Sequence, residues 1–142
     1  MSTLTLDQAS TIVDATLRKG RDTGCRPLTV VVLDAGGHAV ALKREDGSGI
    51  LRPAVAAGKA WGALGLGVSS RTLAGMAAER PTFVSALAVA AEGRIVPAPG
   101  GVLVRDREGA LLGAVGVTGD TSDKDEACAI AGIEAAGLTP EV

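Results

Sequence analysis

The stretch Leu28–Arg44, LTVVVLDAGGHAVALKR, decides the fold. Leu28–Leu33 is apolar apart from Thr29, the pattern of a strand covered on both faces. His38–Arg44 reads as a second strand. Between them, Asp34-Ala35-Gly36-Gly37 places Asp at the first position of a tight turn and Gly at the fourth, so the two runs form a hairpin. The arrangement returns later in the chain. Val102–Arg105 runs into Asp106-Arg107-Glu108-Gly109 and then into Ala110–Val117, ALLGAVGV. Two strand–turn–strand units, each with a D-x-x-G turn, therefore flank the middle of the chain. Two copies are too few for a repeat array.

Outside the hairpins the signals are helical. Thr5 and Gln8 have capping-box spacing, and Leu6, Ala9, Val13 and Leu17 follow at helical intervals. The middle, from about Ile50 to Ala91, is rich in Ala, Gly and Ser. It predicts a helix over Ala54–Leu66 behind Pro53, a short helix capped by Ser69 or Ser70 and ending near Met76, and another from Pro81 to Ala90. Near the end, Ser122 and Asp125 are spaced as a second capping box ahead of a helix over Glu126–Ala136 that is apolar nearly all round and so buried. No linker interrupts the 142 residues, and one α+β domain over 1–142 is expected.

Composition narrows the function. Hydrophobic residues make up 46% of the chain, yet Trp61 and Phe83 are its only aromatics. Core volume must come from small aliphatics and close backbone approaches, and burial between subunits would supplement it, so an oligomer is expected. The net charge is −2, with no basic run or basic–aromatic patch, which argues against nucleic acid. No secretory leader pattern and no membrane-spanning apolar stretch occurs, and a cytoplasmic location is expected. Cys25 and Cys128 match no metal or redox spacing and are read as two free thiols, the alternative being one disulfide in a secreted protein.

Few residues carry chemistry. In Val96-Pro97-Ala98-Pro99-Gly100-Gly101 the prolines fix two φ angles, and Gly100 and Gly101 leave backbone N–H groups uncovered, as in a nest for an anion; the bland alternative is a tight turn. Lys59 stands on an Ala/Gly-rich helix, where it binds an acid group, acts as a base if desolvated, or merely covers apolar surface. Arg44 can grip a carboxylate in two-point fashion, or else is a solvated strand end. His38, the sole histidine, is a candidate axial haem nitrogen or a solvated turn residue. Asp120, Asp123, Asp125 and Glu126 cluster before the last helix, but acids favour helix N-termini anyway, and no metal site is assigned. One histidine and no G-x-S-x-G argue against a serine hydrolase.

VVVLDAGGHAVALKREDG, GKAWGAL, SSRTL, PGGVLVRDREGALLGAVGVTGD and KDEACAIAGI, in this order, resemble the GlcG/HbpS family, the haem-degrading domain family, over Leu4–Leu138. The resemblance implies an antiparallel sheet of about five strands flanked by helices in a profilin-like layout. It implies a homo-oligomer of even order and, in some members, haem binding. The family's Arg-x-Asp-Gly pattern, Lys-Ala pair and glycine pair fall on Arg44, Lys59 and Gly100–Gly101. The leading expectation is a small-molecule-binding protein for haem or another carboxylated tetrapyrrole, with propionate-like groups at Lys59, Arg44, Gly100 and Gly101 and His38 as axial ligand. Two alternatives stand beside it. One is an enzyme acting on a small organic acid, with Lys59 or Arg44 polarising it and the glycine loop holding an oxyanion. The other is a structural or regulatory oligomer without ligand.

Overall fold

The computed structural model describes residues 3–142. The chain runs α1 (Leu6–Asp22), β1 (Thr29–Asp34), β2 (Ala39–Arg44), α2 (Arg52–Leu66), α3 (Ser70–Glu79), α4 (Pro81–Ala90), β3 (Gly101–Arg105), β4 (Leu111–Thr118), α5 (Ser122–Ala135) and β5 (Thr139–Glu141). The strands form one antiparallel sheet in the order β2-β1-β4-β3-β5, the α+β architecture expected from the resemblance.

Local chemistry sets most of these boundaries. The Thr5 hydroxyl accepts from the Gln8 N–H at 3.1 Å while the Gln8 side chain accepts from the Thr5 N–H at 3.0 Å, closing the capping box. Both hairpins turn on the same device. Asp34 Oδ1 accepts from the N–H groups of Gly36 and His38, and Asp106 Oδ1 from those of Glu108 and Ala110. The fourth residue of each turn, Gly37 or Gly109, is left-handed. His38 belongs to the first turn rather than to β2, which starts at Ala39.

The last helix is capped one residue earlier than its sequence spacing suggests, and this bears on the site. The cap of α5 is Thr121, whose hydroxyl accepts from the Lys124 N–H, and not Ser122, which already lies inside the helix. Asp125, read above as the other half of a capping box, is buried and turned elsewhere.

The sheet separates two cores. On one face α1 and α5 cover Val30, Val32, Val102, Val104, Val115 and Val117 with Ile12, Val13, Ala129 and Ile133. On the other face α2 covers Val31, Leu33, Leu103 and Ala114 with Ala56, Ala60 and Ala63. A Cβ at Gly116 would fall 1.9 Å from the Ala56 carbonyl oxygen, and one at Gly101 would fall 2.3 Å from that of Lys59. Bare glycines on β4 and β3 thus let the backbone of α2 lie directly on the sheet.

Candidate functional site

Lys59 is on the sheet-facing side of α2, and its side chain is 3% exposed. Its Nζ donates to the Val117 carbonyl at 2.9 Å and to Asp125 Oδ2 at 3.2 Å. Val117 belongs to the core on the opposite face and Asp125 to the helix that covers that face, so the ammonium group ties α2 to α5 past the end of the sheet. Gly100 makes the passage: a Cβ there would stand 2.9 Å from Nζ and 2.6 Å from the Val117 oxygen, and its φ of +127° suits glycine. Asp125 Oδ1 accepts from the Asp120 N–H at 3.0 Å. Burial lowers the Lys59 pKa, an effect that the Asp125 charge opposes. Burial raises that of Asp125, against the Asp120 hydrogen bond and the Lys59 charge.

The remaining acids of the predicted cluster also have internal partners. Arg71 on α3 reaches both carboxylate oxygens of Glu126, at 3.1 and 2.9 Å, and also Asp123. Asp120 accepts from the N–H groups of Arg26 and Thr121, which hold its carboxyl below the ordinary range. Among the described residues, no group of three or more His, Cys, Asp or Glu side chains is placed to hold a metal ion.

The residues singled out from the sequence do not converge on one cavity. Gly100 and Gly101 do adjoin Lys59, but all three are buried, and the Gly101 N–H donates to Ser70 Oγ at 2.7 Å rather than to open space. Arg44 is exposed at the end of β2, donates to the Ser48 carbonyl at 2.8 Å, and lines a groove of about 500 Å³ with Arg21, Lys43 and Asp46. His38 is 82% exposed, with Nδ1 3.4 Å from Asp34 Oδ1. It lines a separate groove of about 300 Å³ with Leu4, Val40 and Leu112. Arg44 pairs with Thr29 at one end of the hairpin and His38 caps the other, roughly 20 Å away at strand rise.

A different cavity has the features of a ligand site. A cleft of about 490 Å³ opens over α2 and is floored by Leu33, Ala39, Ala54, Ala57 and Gly58. Trp61 forms one wall, and the Arg94 guanidinium lies over its ring, 3.8 Å from the centroid. Two successive left-handed residues, Glu92 (φ 56°) and Gly93 (φ 79°), turn the chain after α4, and Arg94 Nε donates to the Ala91 carbonyl. Trp61 also lies against the first hairpin: a Cβ at Gly37 would be 2.9 Å from its Nε1. The arrangement offers an apolar floor, an indole wall and a charged donor, with Glu92 also among the lining residues. Sequence reasoning missed it because Arg94 comes from a loop without a motif. The one available signal was that Trp61 is the only tryptophan in an aromatic-poor chain.

An antiparallel sheet carrying a cross-sheet ion pair and a small cleft over one helix defines an α+β protein built around a ligand-sized opening. The profile of the family described as "Haem degrading protein HbpS-like" matches residues 4–134, and the chain belongs to this family. Among solved structures, that titled "Crystal Structure of PduOC:Heme Complex" is similar at 21% identity with a TM-score of 0.88, covering 99% of this chain and 100% of that one. Klebsiella pneumoniae protein ORFY is similar at 25% identity with a TM-score of 0.86, over 96% of this chain and 92% of that one. A double mutant of Streptomyces reticuli HbpS is similar at 27% identity with a TM-score of 0.80, over 94% and 87%. No curated protein matches the chain.

Proposed function

We propose that this chain is a small-molecule-binding protein that takes a carboxylated tetrapyrrole of the haem class in the cleft over α2. The observation that carries the reading is the Arg94 guanidinium laid over Trp61 above a floor of small residues. A flat macrocycle gains from the apolar floor, and a propionate gains a charge-assisted hydrogen bond. The family description and a haem complex of the same fold support the same ligand class.

The fit extends to the macrocycle and its acid groups and stops at the metal. Among the described residues, none that lines the cleft is a histidine, cysteine, methionine or tyrosine. His38 lies with Val40 and Leu112 in another groove, whereas its neighbours Gly37 and Ala39 line the cleft. In this reading Arg94 and Trp61 replace Lys59 and Arg44 as ligand contacts, and Lys59, Gly100 and Gly101 hold α2 in place. An enzyme using Lys59 would need an approach to an ammonium group whose contacts are internal. An even-order homo-oligomer in the cytoplasm belongs to the same proposal. Exposed Ile50, Leu51, Phe83 and Val89 support association, and light scattering tests it.

Titration with haemin, followed by its Soret band, should saturate at a fixed stoichiometry, and metal-free protoporphyrin should bind comparably. Arg94→Glu should weaken both by about tenfold or more, the scale of a charged hydrogen bond. Absence of saturable binding overturns the reading. So does haemin binding that survives Arg94→Glu and Ala57→Trp but is lost in His38→Ala.

A further inference from the structure

Cys25 and Cys128 are 103 positions apart in sequence, yet their sulfurs lie 4.0 Å from each other in the core between α1 and α5. Both are free and buried. Cys25 follows left-handed Gly24 in the connection from α1 to β1, and Cys128 is in the middle of α5. We infer that this pair is a redox modification site, oxidised by a small hydroperoxide to an intrachain disulfide that fastens the α1–β1 connection to α5.

The geometry divides the roles. Burial and the neighbouring Cys25 push the Cys128 thiol up to about 12, so it stays protonated in the folded chain. Cys25 sits on the connecting loop outside any helix or strand, with the Thr23 hydroxyl 3.6 Å from its sulfur, and is taken as the thiol that meets the oxidant first. Its sulfur, on losing its proton, attacks one peroxide oxygen and breaks the O–O bond; the hydroxide or alkoxide that leaves takes up the proton Cys25 released, departing as water or an alcohol, and Cys25 becomes a sulfenic acid. Cys128 sulfur then attacks the Cys25 sulfur. The sulfenic hydroxyl departs with the Cys128 proton as water, and the disulfide forms. Two thiols are oxidised, one peroxide is reduced, and no other reagent is consumed. The sulfurs must close from 4.0 Å to about 2 Å. The loop is held for this by Arg21, which donates to the Cys25 carbonyl at 2.7 Å, and by the Cys25 N–H on the Gly20 carbonyl at 2.9 Å. The same burial that slows the first step shields the product from bulky thiols.

The test treats the reduced full chain with hydrogen peroxide, quenches, denatures, counts thiols and measures intact mass. The expected result is a fall from two thiols to none, loss of the mass of two hydrogens, one proteolytic fragment joining the segments around Cys25 and Cys128, and recovery with dithiothreitol. The oxidised chain should also unfold at higher denaturant, since the bond closes a long loop. Cys25→Ser and Cys128→Ser should each abolish the mass loss. Two surviving thiols, oxygen addition without hydrogen loss, or a crosslink only between chains would each overturn the inference, and none of these readouts depends on tetrapyrrole binding.

Discussion

The two faces of the sheet are built on different principles. The α1/α5 face is filled by Ile, Val and Leu with two apposed thiols, and its order comes from apolar volume. The α2 face has little volume to bury. There Ala56 and Ala60 meet Gly116, and the Lys59 carbonyl meets Gly101, at backbone distance, and the long side chain of Lys59 runs through to α5. A face made of small residues positions its helix by close approach and by one charged tie. It also leaves room beside that helix, and the cleft at Trp61 and Arg94 occupies that room.

The charged tie is where the contrast breaks most sharply. Lys59→Ala leaves Asp125 buried without its cation, and Asp125→Ala does the reverse. Either should cost about 3–5 kcal/mol in urea unfolding, while Lys59→Met combined with Asp125→Leu should recover most of the loss. The other face should respond by degrees: Ile133→Val about 0.5–1.5 kcal/mol and Ile133→Ala about 2–5 kcal/mol. If the double replacement is as damaging as the single ones, the pair is more than a mutual neutraliser, and the two faces are less different than argued.

Close approach gives the next test. A methyl group at Gly116 meets main chain, the Ala56 carbonyl, and cannot be relieved by a rotamer change. Gly116→Ala should destabilise by about 1–3 kcal/mol and also weaken haemin binding, because α2 must lift off the sheet. Gly65, on the same helix with nothing within 4 Å of an added Cβ, is the control: Gly65→Ala should stabilise by up to about 1 kcal/mol. Equal effects at both positions would remove the distance argument.

What was legible in the sequence was local. The Thr5–Gln8 box, the D-x-x-G turns and the prolines opening α2 and α4 act within four or five residues, and each formed as read. The site required distant information. Lys59 and Asp125 are 66 residues apart, and Asp125 already had a plausible local role as a helix-start acid that hid its real partner. Gly100 and Gly101 lie beside Lys59, and their freedom from side chains lets that lysine pass and α2 seat on the sheet. The Arg94–Trp61 contact depends on the curvature of the left-handed pair Glu92–Gly93, which no periodicity encodes. Strand β5 is three residues long and contains Pro140, too little for a pattern to show.

The smallest expected effect is in pH, and its sign distinguishes a buried pair from a surface one. Asp125 holds its proton more tightly in the fold than the ordinary 3.8 of the unfolded chain. Between 3.8 and its raised value the native chain therefore carries the extra proton, and the stability owed to this group falls as pH rises through that window. Lys59 is lowered from 10.5, so between its lowered value and 10.5 the unfolded chain carries the extra proton, and stability rises with pH there. Measured against the Lys59→Met, Asp125→Leu chain, the wild type should be relatively weakest on the plateau between the two windows. It should improve as acid protonates Asp125 or base neutralises Lys59. A surface ion pair does the opposite, losing stability once acid removes its carboxylate charge. Relative stability that drops on acidification would mean that Asp125 is held below 3.8, and the α2 face would then be fastened by a net electrostatic gain rather than by a pair that merely offsets its own burial.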